Sequence, residues 1–210
     1  MSDFSAQTPR GFREERHAMS LDEILTATWL KLSDAVQSPS AGWRLPVLGT
    51  VSDASPALRT VVLRDVDVES WTLTCYTDSR SSKVRQLMAN PQASWLFYCP
   101  EERIQLRACG LASISTSGPE VTTAWASVPA FSRQNYLTEM PPGSTVENCA
   151  VVGGLDGDGD REVFADGINN FAVLRCTLSQ LVWLSVDGQR QVSSIFTRTD
   201  NGVTSAWRVP

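Results

Sequence analysis

The sequence has a single histidine, His17, among its 210 residues. Because His17 lies in a polar N-terminal segment, neither a histidine-based catalytic triad nor an imidazole metal site is expected. The five cysteines are odd in number and scattered, and no two of them form a Cys-x-x-Cys pair. The sequence therefore predicts neither a disulfide framework nor a zinc site, and a reducing cytoplasm is the expected location.

Basic residues are also in short supply. Lys and Arg total 18 against 23 Asp and Glu, which gives a formal net charge of −5. Without an excess of Lys and Arg, the chain has little to neutralise phosphates over an extended surface, so we expect no nucleic-acid partner and no anionic membrane surface. A local basic site for one small phosphate is compatible with this charge.

Long apolar runs are absent as well. No stretch approaches the roughly 20 apolar residues that a transmembrane helix needs. Residues 1–5 carry no basic segment followed by an apolar one, so no signal peptide is predicted. Hydrophobic residues nevertheless make up 42% of the chain, which is enough for a substantial core.

Three helices are predicted. Ser20 and Glu23 form a capping-box pattern, and the apolar residues that follow at helical spacing predict a helix over 21–36. Two further helices are predicted between Ser81 and Pro91 and over about 118–127.

The rest of the chain is dominated by β-branched and aromatic runs separated by turns. Strands are predicted over 47–51, 58–66, 71–77, 93–98, 103–115, 170–177, 181–185, 191–197 and 203–209. Many short strands with few helices favour a barrel, because closure removes the free edges of so large a sheet. We expect one mainly β domain over 20–210, preceded by a mobile segment over 1–19 and interrupted by a long loop over 139–161.

The predicted long loop contains an alternating acidic run, Asp156, Asp158 and Asp160. Such alternation is typical of a calcium-binding loop, but the position for its terminal glutamate is occupied by Gly167. A flexible acidic loop without a metal is therefore expected.

A candidate phosphate site surrounds Lys83. This lysine lies in the first turn of a predicted helix, whose N-terminus offers unpaired N–H groups and a partial positive charge. An apolar strand bracketed by Arg59 and Arg64 precedes it. Because an odd number of positions separates the two arginines, a regular strand would point them to opposite faces, and only a bulge would bring both to one phosphate.

A polar stripe marks another predicted strand. Arg103, Gln105 and Arg107 alternate with apolar residues, so they share one face of a strand whose other face is core. Such a stripe needs water, a partner chain or a ligand.

The chain resembles the pyridoxamine 5′-phosphate oxidase-like, FMN-binding split-barrel family in the order and spacing of three segments: RTVVLR (59–64), CYTDSRSSKVRQLMANPQASWLFY (75–98) and RIQLRACGLA (103–112). The resemblance is strong over about 44–115, and weaker over 116–138 and from about 170 onward. It implies an antiparallel split β-barrel with a few flanking helices. It also implies FMN as cofactor, lying in the groove between the subunits of a homodimer.

The resemblance further implies a set of cofactor-binding residues: Arg59, Thr60, Val61, Val62, Leu63, Arg64, Tyr76, Thr77, Ser82, Lys83, Gln105 and Trp183. Within this set, Arg59 and Lys83 are the implied phosphate contacts. Gln105 would hydrogen-bond the flavin, and Trp183 would match a tryptophan that members of the family place near the cofactor.

Three departures from the family pattern concern the binding of cofactor and substrate. Ser82 stands where the Ser-Arg-Lys of the family has its arginine, and Arg80 in the preceding turn is the available substitute. The Tyr, Arg and Ser that hold the substrate phosphate best match Ala124, Val128 and Ser132. The Arg-x-His-x-Arg pattern near the C-terminus meets residues 190–194, which lack the histidine. The cofactor half of the pattern is retained, so we expect FMN but not oxidation of pyridoxamine phosphate.

The sequence thus indicates a flavin-dependent oxidoreductase acting on a small molecule, such as an amine or an aromatic compound, in a pocket bordered by Arg107, Trp125 and Phe131. A non-catalytic flavin-binding or flavin-sensing module is the alternative. A split barrel that binds haem or a deazaflavin instead of FMN is a third.

Overall fold

A computed structural model describes residues 19–38, 40–52, 55–148, 167–187 and 190–210, the residues 187 and 190 by their backbone only. Residues 1–18 of the mobile segment predicted over 1–19 lie outside the described residues, and so do residues 149–161 of the predicted long loop with its acidic run.

The three predicted helices are confirmed. They are α1 (Leu21–Gln37), α2 (Ser82–Ala89) and α3 (Pro119–Ser127). Ser20 and Glu23 form the predicted capping box at the start of α1, because the Ser20 hydroxyl accepts from the Glu23 amide and the Glu23 carboxylate accepts from the Ser20 amide. A short helix α4 (Ala130–Arg133) and two 3₁₀ turns (Gln134–Tyr136 and Gly167–Asn170) were not predicted, since one turn of helix leaves too little periodicity to detect.

The described strands form a single antiparallel sheet. They are β1 (Val47–Ser52), β2 (Ser55–Thr60), β3 (Leu63–Asp67), β4 (Thr72–Asp78), β5 (Gln92–Cys99), β6 (Ile104–Ser115), β7 (Phe171–Asp187), β8 (Arg190–Thr199) and β9 (Gly202–Arg208). The main path runs β2-β1-β5-β6-β7-β4-β3, and β8 and β9 continue from β7. The fold is the expected split barrel, with the sheet left open rather than closed.

Strand β7 pairs with three other strands of this sheet. One of its edges pairs with β6 along its whole length, while its other edge is shared by β4 in the first half and β8 in the second. The register with β6 slips between Cys109 and Gly110, where Leu178 and Gln180 face successive residues of β6. This bulge lets one strand serve two half-sheets that diverge from each other.

The strand predicted over 58–66 was wrong in its bounds. It is interrupted at Val61 and Val62, where the chain leaves β1 and joins β4. The amides of Val61 and Leu63 bond the carbonyls of Pro46 and Arg44 there, so the apolar run is continuous in sequence but not in pairing.

The strands predicted over 170–177 and 181–185 are one strand. Their alternation slips at the bulge opposite Gly110, and a slip of one residue imitates a break in a pattern of period two.

The core lies on the inner face of the sheet. Alternate residues of β5 and β6, including Trp95, Phe97 and Leu106, are fully buried. Helix α1 covers one end of this core, where the rings of Trp29 and Trp71 meet edge-on with centroids 5.3 Å apart.

We expect the bulge to be sensitive at Gly110. A Cβ atom added there would lie 2.1 Å from the carbonyl oxygen of Thr177, a backbone atom that cannot rotate away. Gly110→Ala should therefore lower the free energy of unfolding by about 2–3 kcal/mol, measured by chemical denaturation. Gly49→Ala is the matched control, because the nearest atom to its added Cβ is the mobile end of the exposed Leu58 side chain at 3.1 Å. Equal losses in the two variants would contradict this account of the bulge.

Candidate functional site

A cavity of about 700 Å³ opens beside the end of β2, and its volume is within the range of small-molecule sites. The end of β2 and the residues after it form one side, the end of β4 and the start of α2 form another, and the segment 135–146 forms a third. The predicted cofactor-binding residues that line this cavity are Arg59, Thr60, Val61, Val62, Tyr76, Thr77 and Lys83.

Lys83 places an ammonium group in this cavity. Its Nζ donates to the hydroxyl of Thr77 at 2.8 Å and to that of Ser81 at 3.2 Å, and both of these residues are buried. Desolvation by burial lowers the pKa of Lys83 from its ordinary value, since little water reaches the charge. A partly buried cation whose hydrogen-bond partners are hydroxyls is suited to an anion from outside the chain.

The start of helix α2 adds to this preference. Ser81 is the N-cap residue of α2, but its side chain makes no capping bond and turns to Thr77 and Lys83 instead. The first amides of the helix therefore have no side-chain cap, and they carry the positive end of the helix dipole.

Arg59 supplies a second positive charge. Its guanidinium donates to the Thr50 hydroxyl at 2.6 Å, to the Ala57 carbonyl at 2.9 Å and to the Gln86 side chain at 3.0 Å, all neutral acceptors. Repulsion from Arg59 contributes to the lowered pKa of Lys83, after desolvation by burial. An anion between the two groups would relieve this repulsion.

One of the two acids that line this cavity, Asp78, is paired with an arginine. Asp78 accepts from Arg80 Nε at 3.1 Å and from an Arg80 terminal nitrogen at 2.8 Å. Arg80 also donates to the carbonyl of Thr138 at 2.9 Å and to its hydroxyl at 3.1 Å. Arg80 is therefore absent from the cavity lining and joins the turn before α2 to the segment 135–146; the structure does not place it as a substitute for the missing phosphate-binding arginine.

Aromatic rings back the cavity on the side of β4. Tyr76 and Tyr136 line it, and both rings meet the buried ring of Phe171 edge-on with centroids 5.1 Å apart. Desolvation by burial raises the pKa of Tyr136 to about 12, so its hydroxyl is neutral at physiological pH. This wall offers aromatic surface and hydroxyl donors rather than a base.

Three of the predicted residues lie close to this cavity without lining it. Leu63 is fully buried in the core, and Ser82 is exposed on the outer side of α2. Arg64 lies over the ring of Tyr76, with its guanidinium carbon 5.5 Å from the ring centroid. The break at Val61 and Val62 places the two arginines on different strands, so the regular strand assumed for their opposite orientation does not form.

Gln105 and Trp183 lie elsewhere on the chain. Gln105 lines a smaller depression of about 130 Å³ on the face of β6, β7 and β8, and Trp183 is 5% exposed and packs in the core. A single chain therefore does not bring Gln105 into the cavity that contains Lys83. Contact of both Gln105 and Lys83 with one cofactor stays a prediction.

The segment 135–146 was not predicted as part of the site. Its lining residues include Tyr136, Thr138 and the run Met140-Pro141-Pro142-Gly143. The Pro-Pro-Gly sequence predicted only irregular structure, and nothing local specifies which surface such a segment covers.

Among the described residues, no three His, Cys, Asp or Glu side chains are grouped so that they could hold a metal ion. The described helices include none that combines the length and the apolar character needed to span a bilayer.

Comparison with known proteins finds a family match over part of the chain. Residues 26–116 match the family model described as "Pyridoxamine 5'-phosphate oxidase, FMN-binding domain". The chain is 36% identical over 107 residues to a pyridoxine/pyridoxamine 5′-phosphate oxidase of Paraburkholderia xenovorans (strain LB400), covering 50% of this chain and 48% of that relative. It is 33% identical over 110 residues to the enzyme of the same name from Gluconobacter oxydans (strain 621H), covering 52% of each chain. The chain thus spans about half the length of the curated relatives it matches.

Solved structures agree in fold. A pyridoxamine 5′-phosphate oxidase-related, FMN-binding protein from Nostoc punctiforme PCC 73102 superposes with a TM-score of 0.68 at 23% identity, covering 92% of this chain and 99% of that one. PhzG from Burkholderia lata 383, in complex with tetrahydrophenazine-1-carboxylic acid, superposes with a TM-score of 0.65 at 18% identity, covering 98% of each chain. At these identities the likeness shows the split-barrel fold alone.

The cavity suits the cofactor of this domain. FMN carries one phosphate on a flexible arm, and Lys83, Arg59 and the hydroxyls of Thr77 and Ser81 are the donor types that bind a phosphate. The cavity volume of about 700 Å³ leaves room for a ring system beyond the phosphate. The split-barrel fold, the cofactor FMN and the resemblance expected from the sequence are therefore confirmed: residues 26–116 match the FMN-binding domain of the pyridoxamine 5′-phosphate oxidase family, and the chain has the split-barrel fold.

Proposed function

We propose that this protein is an FMN-dependent oxidoreductase that acts on a small molecule at the interface of a cytoplasmic homodimer. The observation that carries the proposal is the pair of cations, Lys83 and Arg59, at a cavity of about 700 Å³ in which the carboxylate of Asp78 is already paired with Arg80. When bound, FMN supplies the hydride and electron chemistry, and the protein supplies binding and orientation.

Each lining group has a task in this proposal. Lys83 and the hydroxyl of Thr77 bind the phosphate, and Arg59 adds the second charge. Thr60, Val61 and Val62 provide the surface for the ring system, and the rings of Tyr76 and Tyr136 exclude water from its other side.

The outward face of the sheet supports a homodimer. The strands β2, β5 and β6 expose large apolar side chains on this face: Leu58 (70%), Leu96 (38%), Tyr98 (47%) and Leu111 (59%). A contiguous exposed apolar patch marks an interaction surface. Gln105 lies on the same face, opposite Tyr98 in the register, so a second chain packed there would bring its own cofactor cavity toward Gln105.

One observation favours the second candidate, a non-catalytic flavin-binding module. Two positions that match the substrate-phosphate residues of the family are committed to packing, because Val128 is buried and Ala124 packs against the cluster around Trp125. The phosphate-bearing substrate of the family therefore has no matching site here, and any substrate must be held by other groups.

Activity of the purified flavoprotein separates the two candidates. We expect FMN to copurify, the protein to sediment as a dimer at micromolar concentration, and oxygen consumption or NAD(P)H oxidation to occur with a member of a panel of small amines and aromatic compounds. Gln105→Leu should change the flavin absorbance spectrum without unfolding the protein. A dimeric flavoprotein that is inert across the panel would favour the binding module, and a monomer that retains FMN would contradict the interface site.

Lys83→Met should weaken FMN binding by about 1–3 kcal/mol, or about 5- to 150-fold in Kd, through loss of a charge-assisted contact. The measurement is titration of FMN into the apoprotein, followed by flavin fluorescence. Arg85→Met is the matched control, because Arg85 is exposed on the same helix and lines neither cavity. Unchanged affinity in Lys83→Met would reject the phosphate contact.

The same contact predicts a pH dependence. Burial lowers the pKa of Lys83 from 10.5, and the FMN phosphate is a dianion above its second pKa of about 6. The stabilising charge is therefore present below the lowered pKa of Lys83 and is lost as the pH rises through it. FMN affinity of the wild type should fall over that alkaline range, whereas Lys83→Met should lack this part of the profile. Parallel profiles would contradict the assignment.

Arg80→Met should speed the release of FMN. The variant loses the bonds to Thr138 that hold the segment 135–146, and it leaves the Asp78 carboxylate without its partner near the cofactor phosphate. We expect the dissociation rate to rise about tenfold, a change of about 1.4 kcal/mol, measured by dilution of the holoprotein. Arg85→Met again serves as control, and an unchanged dissociation rate would show that Arg80 does not hold this wall.

A further inference from the structure

The smaller depression contains two arginines that no described residue neutralises. We call it the arginine cup, and its lining is Gln105, Arg107, Val182, Leu184, Ser193, Arg208, Val209 and Pro210. Among the described residues, none forms a hydrogen bond or an ion pair with the guanidinium of Arg107 or of Arg208. No acidic side chain is part of the lining.

The strand register explains why these side chains meet. Gln105, Leu184, Ser193 and Arg208 form one cross-strand row over β6, β7, β8 and β9. Arg107 pairs with Val182 in the row two residues along, so it lies on the same face. The long side chains of Arg107 and Arg208 thus approach the same floor from opposite sides.

The floor and the rim of the cup differ in chemistry. Val182 is buried and Leu184 half-buried beneath the opening, and the Ser193 hydroxyl is occupied by its bond to the Trp183 carbonyl at 3.1 Å. The floor therefore offers mainly apolar surface, and the rim offers two guanidinium groups. Planar guanidinium groups bind carboxylates through paired N–H donors.

We propose that the arginine cup binds a small apolar molecule that carries a carboxylate, and that this molecule is the substrate of the interface site. The assignment of this molecule as the substrate rests on the proposed function, because Gln105 borders the cup and is the residue expected to face the flavin of the partner subunit. The volume of about 130 Å³ is enough for a group the size of a benzoate.

The direct test is calorimetric titration of the purified protein with sodium benzoate, with benzamide as the neutral molecule of the same shape. We expect benzoate to bind at least tenfold more tightly than benzamide. Arg107→Met and Arg208→Met should each remove most of that difference, while the exposed Arg85→Met should keep it. The side chains of Arg107 and Arg208 are exposed, so their replacement should not unfold the protein, and a thermal melt of each variant checks this.

The outcomes separate the cup from the proposed function. Equal binding of benzoate and benzamide, or tighter binding of phenyl phosphate than of benzoate, would overturn the carboxylate assignment. A change in flavin absorbance when benzoate is added to the holoprotein supports the substrate position. Benzoate binding that depends on both arginines but leaves the flavin spectrum unchanged would overturn that position. Since the calorimetry needs no flavin, it still decides the cup if the protein binds no FMN.

Discussion

The site depends on one partly buried charge, the ammonium of Lys83. The ammonium of Lys83 is held by the hydroxyls of Thr77 and Ser81, and the carboxylate of Asp78 in the same cavity lining is paired with Arg80. Burying a cation with only neutral partners costs free energy, and the lowered pKa of Lys83 expresses that cost. A dianion bound beside Lys83 would relieve this cost, and in the proposed function the phosphate of FMN is that dianion.

The long strand β7 sets where such a site can form. Its first half pairs with β4, which ends at the cavity that contains Lys83, and its second half pairs with β8, which forms part of the arginine cup. The bulge opposite Gly110 separates these two halves. One strand therefore fixes the distance between the cofactor cavity and the polar stripe on the outer face.

Local patterns predicted the parts of the site that are close in sequence. The helix start at Ser82, the strand end at Asp78 and the charge of Lys83 lie within six residues, so capping and alternation rules were sufficient to bring them together. The same rules failed at Val61, where a continuous apolar run changes its pairing partner, because pairing depends on distant residues. The contribution of the segment 135–146 was out of reach for the same reason, since tertiary contacts such as those from Arg80 and Asn170 specify where it lies.

The attachment of that segment has a consequence for how the cavity can change. Two of the contacts from Arg80 end on main-chain carbonyls, those of Thr138 and Glu139, which every amino acid provides. The side chains of this wall are therefore largely independent of its anchor. Relatives or engineered variants can exchange the residues that face the ligand while the wall keeps its place, so selectivity can diverge without rebuilding the scaffold.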